Sequence, residues 1–148
     1  STVAGVGMFI PAAGVRGLHL FRGAPRLFAA SLVCARATAE AIRAGGGGHV
    51  CFVVTGEWAD RDGDEDVACA DYLQALLGGD SPGPEAFAQR VRQSDFGQRF
   101  ALGTWPDLPT ADLDLVAQAD LFGFAMPVHR EAERLVIRAQ IPESRPDR

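Results

Sequence analysis

The chain has 148 residues, 47% of them hydrophobic and 22% charged, with a formal net charge of −5. This composition is that of one folded domain rather than a disordered segment, and the length suffices to bury a core without disulfide or metal staples. No apolar run reaches the roughly 18 residues of a membrane span, and no secretory leader pattern opens the sequence, so a soluble, cytoplasmic protein is expected.

The charge is unevenly spread. Residues 1–56 carry five Arg against Glu40 alone, residues 57–148 carry nine Arg against 18 acids, and Lys is absent. An acidic total without a basic cluster argues against nucleic acid as a partner. A basic half beside an acidic one suits an anionic substrate held next to a cation, although uneven surface charge alone would look the same.

Val6–Ile10, stopped by Pro11, predicts a buried strand, and Arg26–Ala30 a second. A helix is expected from about Cys34 to Ala44, capped by Ser31, with Arg36 and Glu40 on one face and Gly45–Gly48 ending it. His49–Thr55, β-branched and aromatic, is the strongest strand signal, and Cys51 within it reads as core. The next helix spans about Asp64–Leu77, with an acidic first turn that suits the positive end of its dipole. Glu85–Gln93, Asp95–Leu102 and Thr110–Ala119 read as helices, the last capped by Thr110. Leu121–Pro127 and Arg134–Ala139 read as strands. Strands alternating with helices predict an α/β fold, layered α/β/α, with a mostly parallel or mixed sheet. One domain is expected over residues 1–140, with a polar tail over 141–148.

Chemistry concentrates in Gly56–Asp66, where six of the ten residues from Glu57 to Asp66 are acidic. The segment leaves the best strand and enters a helix, the place where open α/β sheets bind ligands. Carboxylates there would suit Mg²⁺, which takes one or two of them plus water and phosphate oxygens. The plain alternative is a solvated loop running into dipole-favoured acids. Gly14 and Arg16 follow the first strand, where a glycine lets backbone N–H groups approach an anion and Arg offers a planar fork. Arg36 lies in the first turn of its helix, which itself favours anions. The three histidines lack zinc-site spacing, no GxSxG is present, and Cys34, though it opens a helix, reads as a buried filler.

Taken in order, several blocks resemble the 2-phosphosulfolactate phosphatase family, Mg²⁺-dependent enzymes of coenzyme M biosynthesis. They are FAASLVCARATAEAI (Phe28–Ile42), CFVVTGE (Cys51–Glu57), EDVACADYL (Glu65–Leu73), SDFGQRFALG (Ser94–Gly103), Gln118–Asp120 and Met126–Pro127. The similarity runs from about Val3 to Arg138 and covers the C-terminal part of the family.

The resemblance implies a layered α/β fold and hydrolysis of a phosphate monoester on a small carboxylated or sulfonated acid. Glu65 and Asp66 match the family's Glu-Asp pair and are the expected catalytic and metal-holding residues, joined at the metal by Glu57. Gly14, Arg16 and Arg36 would bind the substrate phosphate. The family's opening Asp-bearing region has no counterpart here, so a partner chain supplying it, or a homo-oligomer built on an exposed sheet edge, is expected. The family's Asn before the Ala-Arg-Ala helix is Cys34, its Gly after Cys-Ala is Asp71, and the His before the SDFG glycine is Phe96. These losses of coordinating groups support a second expectation: an inactive relative that binds an anionic metabolite or serves as an assembly subunit.

Overall fold

A mixed five-stranded sheet carries the fold. Its strands are β1 (Val3–Met8), β2 (Arg26–Ala30), β3 (His49–Val53), β4 (Met126–Glu131) and β5 (Arg134–Ile137), in the order β3-β1-β2-β4-β5. The computed structural model describes residues 18–46, 48–55, 63–103 and 109–142, and the backbone of 3–8. β1 is parallel to both neighbours, with Gly5 opposite Leu27 on one side and Cys51 on the other. β4 then pairs antiparallel with β2, and β5 antiparallel with β4.

β2 is buried from Leu27 to Ala30. Successive strand residues face opposite sides of a sheet, and Leu27 and Phe28 accordingly enter different cores. Phe28 and Ala30 join a large cluster with α1 (Ala35–Ala44), α2 (Asp64–Gly78), α3 (Pro84–Gln93), α4 (Asp95–Ala101) and α5 (Asp112–Val116). Leu27 joins Leu18 and Val128 in a smaller cluster, flanked by Leu135 and Ile137. Among the described residues no helix is long and apolar enough to cross a membrane.

Several arginines fasten the elements through backbone or carboxylate oxygens. Arg26, on β2, donates to Ala41 O at 2.8 Å and Ile42 O at 3.2 Å, so a strand residue caps the C-terminus of α1. Its guanidinium lies so close to Gly45 that a Cβ there would sit 1.9 Å from Nη1. Arg90, on α3, donates to Asp64 at 2.6 Å and Asp71 at 2.6 Å, both on α2. Asp71 thus helps tie α2 to α3 through an ion pair.

Three expectations are corrected. β4 begins at Met126 rather than Leu121, because 118–124 turns against the start of α1: Asp120 N donates to Leu32 O and Phe122 N to Val33 O. The helix expected over Thr110–Ala119 is confined to Asp112–Val116, with no side-chain cap. Cys51 is exposed rather than core, because β3 is an edge strand and only its Val50–Phe52 side packs on the large cluster.

Candidate functional site

α1 and α2 both start beyond the carboxyl ends of parallel strands, β2 and β3 respectively. Their first turns therefore lie where α/β sheets gather ligands. The chain enters α2 through Gly63, whose φ of 65° is a left-handed conformation that glycine adopts at little cost. Two residues after β3, Thr55 donates to Asp66 Oδ2 from its backbone N at 3.0 Å and from Oγ1 at 3.4 Å. Asp66 is thereby tied to the strand end and is 1% exposed.

Asp66 is the carboxylate of a small cleft of about 10 Å³ walled by Phe52, Val53, Val54, Cys69 and Leu73. That is room for about one water molecule and far below the ~300–1,000 Å³ that encloses a drug-sized ligand. Glu65 is also buried but does not line this cleft. Consecutive helical residues point about 100° apart, so a Glu-Asp pair at i, i+1 does not converge. Both acids are buried and, with Asp64, occupy the first turn of α2, while residues 56–62 of the acidic run lie outside the described residues.

The second cluster surrounds Arg36. Asp120 Oδ1 accepts the backbone N–H of Arg36 at 2.8 Å, and Oδ2 accepts Arg36 Nε at 3.1 Å. Tyr72, on α2, donates its hydroxyl to Asp120 Oδ2 and accepts from Arg36 Nη2 at 3.0 Å. The Asp120 carboxylate therefore caps α1, a role expected of Ser31, whose side chain makes no cap bond. Ser31 is displaced from the α-helix by the intervening 3₁₀ turn Leu32–Cys34. Asp120 has a φ of 57°, a conformation that aspartate tolerates better than most residues. Burial, with the hydrogen bond to Asp120, pushes the Tyr72 hydroxyl up to about 12. The Arg36 side chain is still 47% exposed, against 18% for Asp120.

The residues singled out by sequence thus separate. Asp66 stands at the cleft, Glu65 is buried but does not line it, and Arg36 is bound to Asp120 and Tyr72 rather than paired with Glu40. Gly14, Arg16 and Glu57 lie outside the described residues. Among the described residues no group of three or more His, Cys, Asp or Glu side chains could hold a metal ion. One buried carboxylate in a cleft, already committed to Thr55 through Oδ2, does not fit a Mg²⁺ ion by itself.

Burial raises the thiol pKa of Cys34 and raises that of Cys69 well above its usual value, so both are fillers rather than nucleophiles. Tyr72 and Asp120 were missed as site residues, although both fall inside blocks that carry the family resemblance. What sequence lacks is any signal that residues 84 apart, Arg36 and Asp120, meet.

No protein-family model matches the chain, and no curated protein matches it.

Proposed function

We propose that this chain binds a small acid bearing a phosphate, sulfonate or carboxylate group, as a relative of the 2-phosphosulfolactate phosphatases built on a layered α/β/α framework. The observation that carries this reading is Arg36: a half-exposed guanidinium in the first turn of α1, beyond the carboxyl end of β2. A planar cationic fork favours an oxyanion as ligand. The basic first half of the sequence is consistent with this. Calorimetric titration with a phosphorylated small acid tests it, with saturable binding expected in the parent and a large loss in Arg36→Ala.

The second reading is a Mg²⁺-dependent phosphomonoesterase, or a part of one. It is favoured by Asp66, which Thr55 ties to the carboxyl end of β3. Phosphatase assays with and without Mg²⁺ separate the two readings. Metal-dependent turnover lost in Glu65→Gln and Asp66→Asn supports hydrolysis, whereas binding without turnover supports the first reading.

A further inference from the structure

The contacts of Arg36 are sided. A guanidinium presents its five N–H donors in one plane, as a side edge (Nε with Nη2) and an end edge (Nη1 with Nη2). Here the side edge is filled: Nε donates to Asp120 Oδ2 and Nη2 to the Tyr72 hydroxyl. Tyr72 is fully buried and its hydroxyl in turn donates to Asp120, so the two acceptors of the side edge hold each other in place. The Asp120 carboxylate is itself fixed through Oδ1 by the Arg36 backbone N–H. Among the described residues Nη1 makes no hydrogen bond and Nη2 spends one of its two N–H groups on Tyr72, so the end edge keeps a donor on each nitrogen, and the side chain remains about half exposed.

We infer that Tyr72 and Asp120 are positioning residues that grip Arg36 by its side edge, so that its end edge takes the oxyanion head of the bound acid. This rests on the anion-binding reading above and adds the geometry of recognition. A two-pronged end-on fork matches two oxygens of one phosphate, sulfonate or carboxylate group. Because Asp120 offsets the guanidinium charge, recognition depends on the direction of the N–H bonds more than on net charge. Lys at position 36 would keep the charge and lose the fork.

The test is nitrogen-detected NMR of the arginine side chains in the intact chain, titrated separately with inorganic phosphate, sulfate and acetate. The expected result is a saturable change in the Arg36 guanidinium signal, and the order of affinities among the three probes identifies the preferred head group. Affinity should fall roughly five- to tenfold in Tyr72→Phe, the loss of one orienting hydrogen bond. It should fall at least as far in Arg36→Lys, a surface change that leaves the fold intact. Binding of an anion with no response at Arg36, or with equal affinity in Tyr72→Phe and the parent, overturns the inference while leaving the broader anion-binding reading standing. No binding of any of the three probes overturns both.

Discussion

Asp120 caps a helix that lies 84 residues before it in the chain, its Oδ1 accepting the Arg36 backbone N–H at 2.8 Å. The same carboxylate takes the Arg36 side chain and the Tyr72 hydroxyl, so one residue joins the 118–124 segment to α1 and α2. Replacing it with Ala removes the cap and strands a buried tyrosine hydroxyl, and should cost about 2 kcal/mol of stability. Asn keeps an acceptor for the backbone N–H and tolerates the left-handed backbone, so Asp120→Asn should cost about half as much. Urea denaturation of the two variants checks both values and their order.

Tyr72 is the chain's single tyrosine, which makes its ionisation directly readable by ultraviolet absorbance. Its hydroxyl pKa is raised from 10.0 to about 12 by burial and the bond to Asp120. The neutral form is the one the fold prefers. Its contribution to stability is therefore complete below pH 10 and is lost as the pH rises through about 12. The tyrosinate absorbance of the folded protein should rise near pH 12, and Asp120→Asn should move that midpoint downward. A midpoint near 10 in the folded parent would contradict the network.

Ser94 and Gly97 hold the corner between α3 and α4. Ser94 Oγ accepts from Gly97 N at 3.0 Å and donates to Val91 O at 2.7 Å. A Cβ on Gly97 would lie 2.2 Å from Val91 O and 2.6 Å from Arg92 O, both backbone atoms that cannot swing aside. Gly97→Ala should therefore cost about 2–3 kcal/mol, as overpacking does. Ser94→Ala should cost about 1 kcal/mol as a lost cap. Thermal melts of the two variants should rank them in that order.

The three free thiols differ sharply in burial, with Cys51 exposed and Cys34 and Cys69 buried. A thiol-specific chromophoric reagent should titrate one group quickly in the native protein and the other two only on unfolding. Cys51→Ser should abolish the fast phase.

Most of the architecture was legible because it rests on local signals. Gly45 at a helix end, the acidic first turn of α2 and the β-branched run His49–Val53 each announce their element. What failed was tertiary. Leu121–Pro127 has strand composition, but hydrogen bonds from Asp120 and Phe122 to Leu32 and Val33 hold its first half as a loop. Ser31 has the chemistry of a cap, but a distant aspartate does the capping. Cys51 alternates as a core residue would, and only the strand order puts it on an edge. At the site, the sequence placed Arg36 and Asp66 in the first turns of two successive helices, and the fold has them there. Their partners were illegible because Tyr72 and Asp120 come from other segments, and because two neighbouring acids on a helix read as a pair although their side chains diverge.

The most direct measurement is an amide NMR titration of the intact chain with 2-phospholactate. The expected result is saturable shifts confined to the start of α1, the Asp120 loop and the beginning of α2, absent in Arg36→Ala. Shifts scattered over the surface without saturation, or a response unchanged in Arg36→Ala, would contradict anion binding at the carboxyl ends of the parallel strands.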